Sequence, residues 1–147
     1  MDYGNLPDDL HMDTLAVRIA MPPSQYGENS EALFLTSGYV QSSAASSAAR
    51  FAMQEEGFTY SRVSNPTVAS MEMRLAALEG GKAAIATSSG QAAQLLALAT
   101  ICEAGDNIVA TPLLYGGTYN QFKVTLPRLG IGVKFVDGDE AEQFASL

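Results

Sequence analysis

With 147 residues, 47% of them hydrophobic, the chain is long enough for one ordinary domain and too apolar for a disordered one. The formal net charge is -8, and the eight Lys and Arg are spread without a basic cluster, which argues against nucleic acid or an anionic membrane as partner. Small molecules and protein partners remain, and Cys102, the only cysteine, excludes an intramolecular disulfide.

The N-terminal stretch MDYGNLPDDLHMD is acidic and polar, without the basic and apolar regions of a signal peptide, and no apolar run approaches membrane-spanning length. A cytoplasmic location is the expectation. From Met1 to Phe58 the chain is rich in Ser, Ala, Pro and Gly, with short helices expected only over Thr14–Ile19 and Ala45–Met53. Leu33, Phe34, Leu35, Tyr39 and Val40 are too apolar for a flexible linker. Residues 1–58 therefore read as an extended arm docked on another surface, and residues 59–147 as an incomplete α/β domain.

After Phe58 the pattern becomes regular. Asn65 followed by Pro66 marks a helix start, and Val68, Met71, Leu75 and Leu78 recur at helical spacing until Gly80 and Gly81 stop them. The apolar run Ala83–Thr87 predicts a strand, Ser88-Ser89-Gly90 a tight turn, and Gln91–Cys102 a helix ending before Gly105. Cys102 closes an apolar stretch and is expected as a small buried hydrophobe. Asn107–Thr111 predicts a second strand, Thr118–Leu129 a helix closed by Gly130, Gly132–Val136 a third strand, and Asp139–Leu147 the start of another helix. Strands separated by helices imply a parallel sheet covered on both faces, the opening part of a doubly wound α/β domain.

Three features could carry chemistry. The turn Thr87-Ser88-Ser89-Gly90-Gln91 would present free backbone N–H groups and hydroxyls at the positive end of a helix dipole, which suits a phosphate; a plain helix cap uses the same residues. Tyr60 and Arg62, two apart on an extended strand, would point the same way and fit a phosphate dianion; a surface Arg beside a packed Tyr is the alternative. Tyr115, followed by Gly116 and Gly117 at the carboxyl end of the second strand, could stack on a flat ring or merely cover the sheet edge. Together the three suggest a phosphorylated, planar cofactor.

The segments YSRVSNPT, LEGGKAAIATSSGQAA, AGDNIV and LYGGTYNQFKVTLPRLGI resemble the transsulfuration-type pyridoxal 5'-phosphate (PLP) enzymes of cysteine and methionine metabolism, over nearly the whole chain. The stretch from Leu114 to Asp139 is similar to O-acetylhomoserine sulfhydrylases, whereas DTLAVR and SEALFLTSGYV are more similar to O-succinylhomoserine sulfhydrylases. The resemblance implies the large domain of an aspartate aminotransferase-like PLP-dependent transferase, preceded by an arm that crosses onto a partner subunit. It implies that Ser89, Gly90 and Gln91 hold the PLP phosphate and that Tyr115 stacks on the pyridine ring and assists proton transfer. Tyr60 and Arg62 would reach the phosphate of the neighbouring subunit's cofactor, within a homotetramer built as a dimer of dimers.

The implied reaction belongs to methionine biosynthesis: sulfide replaces the acyl group of O-acetyl- or O-succinyl-homoserine to give homocysteine. Cystathionine γ-synthase and methionine γ-lyase are the neighbouring activities, and the methionine-cleaving enzymes commonly have a cysteine where this chain has Gly117. Family members also carry, well beyond this length, the Schiff-base lysine, an Asp for the pyridinium nitrogen and an Arg for the substrate carboxylate. Lys82, Lys123 and Lys134 match none of these positions and read as solvated side chains. The chain is therefore expected to be a truncated form inactive alone, or else a noncatalytic fragment that pairs with a full-length subunit.

Overall fold

A computed structural model describes residues 10–21 and 24–145. The acidic stretch before Leu10, the two prolines of MPPSQYG and the last two residues of the helix expected from Asp139 lie outside the described residues. The chain divides into two compact units, Met1–Ala86 and Thr87–Leu147.

In the first unit, helix α1 (Met12–Arg18) packs on α3 (Pro66–Leu78), with α2 (Ala44–Phe51) between them in sequence. Asn65 caps α3 by accepting from the Thr67 N–H at 2.8 Å, and Pro66 occupies the first turn, where no N–H is needed. At the other end Gly80 adopts φ +62°, so its N–H reaches the Ala77 carbonyl and the Gly81 N–H that of Ala76, satisfying two end carbonyls of the helix. Ser70 donates to the Ala20 carbonyl, and Arg74 bonds the Ile19 carbonyl at 3.2 Å and Glu31 at 2.7 Å. These contacts fasten the turn after α1, where Ala20 is fully buried, onto one face of α3.

The stretch 33–41 is held by polar contacts more than by apolar burial. Gly38 and Tyr60 form an antiparallel bridge, the Ser61 N–H bonds the Ser37 carbonyl at 2.9 Å, and Asn65 Nδ2 donates to the Phe34 carbonyl at 2.9 Å. Tyr39 packs on Phe58, with ring centroids 5.6 Å apart. Leu33, Leu35 and Val40 stay exposed.

In the second unit, α4 (Gly90–Ile101) leads to strand β1 (Asn107–Ala110), which pairs in parallel with β2 (Gly132–Phe135), Asn107 opposite Gly132 and Ala110 opposite Phe135. Between the strands runs α5 (Gly116–Asn120), a wider π turn (Gln121–Thr125) and α6 (Leu126–Arg128); α7 (Ala141–Ala145) follows. The core beneath is Ala110, Leu126, Ile131 and Val136. The strand-helix-strand order and parallel pairing are those expected of an α/β domain.

Two local differences from expectation have clear causes. Ala83–Thr87 is no strand: it has no ladder partner among the described residues, and its Ala86 N–H bonds the Glu72 carboxylate instead, at 2.6 Å. Cys102, expected buried, is half-buried where the chain turns extended after α4. No helix among the described residues is long and apolar enough to cross a membrane.

Candidate functional site

Ser89 is the N-cap of α4: its hydroxyl accepts from the Ala92 N–H at 3.1 Å, while the Ala93 N–H closes on the Ser89 carbonyl at 3.0 Å. The N–H groups of Gly90 and Gln91 come earlier in the first turn and have no helical acceptor, so they are the open donors of this end. A side chain at Gly90 would meet nothing within 4 Å, so the turn is open on that side. Thr87 Oγ1 donates to the Ser89 carbonyl at 2.9 Å and braces the turn. Aligned peptide dipoles and open N–H groups together favour an anion at this point.

Tyr115 is the residue before α5, five positions beyond the end of β1, and its side chain is 78% exposed. Gly117 explains where its ring lies. A Cβ at that position would stand 2.6 Å from Tyr115 Cε1 and 3.3 Å from Gln91 Nε2, so ring and amide both close in on space that only glycine leaves open. The exposed ring and the open N–H groups of the α4 turn thus belong to one neighbourhood of the second unit. Open N–H donors at a helix start and a flat aromatic surface in the same neighbourhood fit a phosphorylated planar cofactor.

Tyr60 and Arg62 lie in the first unit. They do not run along an extended strand: Val63 and Ser64 both return their N–H groups to the Tyr60 carbonyl, at 2.9 and 3.0 Å, so the chain turns immediately after Tyr60. The turn folds Arg62 back until its guanidinium carbon is 5.3 Å from the centre of the Tyr60 ring, a cation–π contact. The pair therefore shares a side for a different reason than strand alternation, and both residues are exposed. Ser61, between them, is anchored inward through the Thr36 carbonyl and Tyr39 Oη.

Lys82, Lys123 and Lys134 are exposed, and Lys123 lies over the Tyr119 ring at 5.3 Å. The described residues contain no cluster of His, Cys, Asp and Glu that could hold a metal ion.

Sequence reasoning named Gln91 but passed over Gln94, Thr118 and Gln121, whose side chains hydrogen-bond with it. Thr118 Oγ1 donates to Gln94 Oε1 at 3.0 Å, Gln91 Nε2 reaches Thr118 Oγ1 at 3.2 Å and Gln94 Oε1 at 3.3 Å, and Gln121 Nε2 donates to the Gln91 carbonyl at 3.0 Å. Their signal in the sequence is spacing: Gln91 and Gln94, then Thr118 and Gln121, are polar pairs three apart that face the same way on a helix.

A strand-helix-strand unit with open N–H donors at a helix start and an exposed aromatic ring in the same neighbourhood is the arrangement of an α/β domain suited to a phosphorylated ligand. More particularly, the chain belongs to the Cys/Met metabolism PLP-dependent enzymes, whose family model matches residues 13–147. It is 60% identical over 116 residues to O-acetyl-L-homoserine sulfhydrylase 1 of Thermus thermophilus, covering 78% of this chain and 28% of that protein. It is 50% identical over 139 residues to homocysteine/cysteine synthase of Kluyveromyces lactis, covering 93% of this chain and 31% of that one. A solved structure from Campylobacter jejuni that carries N'-pyridoxyl-lysine-5'-monophosphate superposes with a TM-score of 0.87 at 33% identity, over 95% of this chain and 34% of its own. The chain spans about a third of the length of the relatives it matches.

Proposed function

We propose that the chain supplies the phosphate-binding turn and the aromatic lid of a PLP-dependent homoserine-ester sulfhydrylase, which replaces the acyl group of O-acetyl- or O-succinyl-homoserine by sulfide to give homocysteine. The observation that carries this reading is the convergence of Tyr115 and Gln91 on the space left by Gly117, beside the open N–H groups of Gly90 and Gln91. Bound there, PLP supplies an electron sink for charge that develops on the amino-acid substrate.

This chain's residues do the holding. Gly90 and Gln91 donate main-chain N–H groups to the phosphate, Ser89 adds its hydroxyl, and Tyr115 stacks on the ring with its phenol placed to carry a proton. Tyr60 and Arg62, held together by their own contact, serve the phosphate of a neighbouring subunit's cofactor, so the working form is a homo-oligomer, a dimer of dimers. Gly117 favours a sulfhydrylase over a methionine-cleaving lyase: a cysteine there would occupy the place of the Tyr115 ring.

The test of the site is a titration of the chain with PLP and with pyridoxal, followed by absorbance and circular dichroism of the cofactor. PLP is expected to bind about tenfold or more tightly than pyridoxal, and Ser89→Asp, which puts an anion in the turn, to remove that preference. Equal binding of the two would overturn the assignment. The reaction itself is tested on the complete protein by offering each homoserine ester with sulfide and with cysteine; homocysteine from sulfide supports the sulfhydrylase, cystathionine from cysteine or a keto acid from methionine replaces it.

A further inference from the structure

Thr118 and Gln121 are polar residues only 6% and 8% exposed. Each is tied to α4. Thr118 bridges Gln91 and Gln94, and Gln121 bonds the main-chain carbonyl of Gln91, the residue whose N–H is one of the two open donors. On the other side, Thr118 is three residues from Tyr115 in the helix that Tyr115 begins.

Apolar side chains would fill the same volume with no polar groups to satisfy, so packing alone does not account for this set. Gln121 shows the cost most plainly. Its Nε2 must face the Gln91 carbonyl, which only accepts, and its Oε1 is left buried without a partner. Gln121 also opens the π turn, in which the Leu126 N–H reaches back five residues to the Gln121 carbonyl; such widened turns re-aim the residues at their start.

We propose that Thr118 and Gln121 are positioning residues that set the height of the Tyr115 ring over the phosphate turn. They touch no cofactor; they join the helix that offers the N–H donors to the helix that begins at the ring, so that one cannot slide past the other. The inference rests on the assignment of Ser89, Gly90, Gln91 and Tyr115 as the cofactor site, and it concerns a distance between two parts of that site. A phosphate ion uses only the donors, whereas PLP uses donors and ring together, so loss of the network should separate the two ligands.

The experiment compares the full chain with Thr118→Val, Thr118→Ser, Gln121→Leu and Gln94→Met. Dissociation constants for PLP and for inorganic phosphate are measured, and NMR shifts of the Tyr115 ring and of the Gly90 and Gln91 amides are recorded without ligand. Thr118→Val and Gln121→Leu are expected to weaken PLP about tenfold, leave phosphate within about twofold and shift the Tyr115 ring signals, while Thr118→Ser, which keeps the hydroxyl, stays near the parent. Unchanged ring and amide shifts in a folded Thr118→Val chain would overturn the proposal, as would equal losses of both ligands. Should Thr118→Val not fold, Gln94→Met cuts the network at its half-exposed end and is judged by the same shifts. A parent chain that binds PLP no better than phosphate defeats the cofactor assignment alone, because the ligand-free ring shifts still decide whether the network sets the ring.

Discussion

Asn65 does two jobs with one amide. Its Oδ1 caps α3 and its Nδ2 holds the Phe34 carbonyl at 2.9 Å, Tyr39 Oη at 3.1 Å and Ser61 Oγ at 3.0 Å, all from a site only 7% exposed. Asn65→Ala loses the cap and the hydrogen bonds of Nδ2, at a cost of about 1–3 kcal/mol, to be read from urea unfolding. Asn65→Asp keeps the cap but sets a carboxylate against the Phe34 carbonyl. Burial and that oxygen raise the new carboxyl above its ordinary range, and once protonated it donates as Nδ2 does. Asn65→Asp should therefore recover part of its lost stability as the solution is made acidic, whereas Asn65→Ala should not. Parallel losses at all pH values would show that the Nδ2 contacts contribute nothing.

At the scale of elements, what could be read from sequence was local chemistry. The Asn65-Pro66 start, the Gly80-Gly81 stop and the apolar runs at Asn107 and Gly132 each depend on neighbouring residues, and α3, β1 and β2 stand within a residue or so of expectation. What depended on a distant partner was missed. The composition AAIAT says that Ala83–Thr87 is extended, but only a second strand makes it a strand, and the turn after Tyr60 is set by hydrogen bonds that composition does not encode. Gln94, Thr118 and Gln121 were overlooked, and Gln91 was read only for its main chain, because such residues are ordinary on exposed helix faces; the burial of Thr118 and Gln121 reveals the set. The π turn has a visible cause in hindsight: Pro127 has no N–H for the Lys123 carbonyl and its ring crowds that oxygen, so the preceding turn widens. Pro127→Ala should let the helix close to α geometry and raise stability by about 1 kcal/mol, since the gain in helix propensity exceeds the loss of proline's restraint on the unfolded chain. The same change should draw Gln121 away from the Gln91 carbonyl, seen as a shift of the Gln121 side-chain NH2 signals; stabilisation without that shift would separate the proline from the network.

For the molecule as a whole, acid and exposed apolar surface set the limits. Arg74 holds the Glu31 carboxyl below its ordinary range, first through its hydrogen bond and only then through its charge. A carboxyl lowered in the folded state stabilises fully above its unfolded value and loses that contribution as pH falls through the lowered folded value. Glu31→Gln should accordingly cost its stability near neutrality, a small amount because the pair is part-exposed and screened, cost nothing in strong acid, and so flatten the acid limb of a stability-against-pH curve by that same amount. The larger effect concerns α4. Its sequence GQAAQLLALATI is apolar on every side, the pattern of a helix surrounded by protein, yet none of its residues is buried, and Leu96 and Ile101 are 48% and 77% exposed. Ile85, in the unpaired stretch before it, is 76% exposed. Exposed apolar surface of this kind, on either unit, associates, because covering it with another copy removes it from water without needing a specific fit. The chain should thus bind a hydrophobic dye such as ANS and sediment as larger species with rising concentration. Replacing Leu96 and Ile101 together by Ser should lower both signals while moving unfolding stability by no more than about 0.5 kcal/mol each, the range of surface changes. A loss of several kcal/mol would mean that α4 is packed in solution, and a chain that stays monomeric and dye-free would show its apolar faces to be covered.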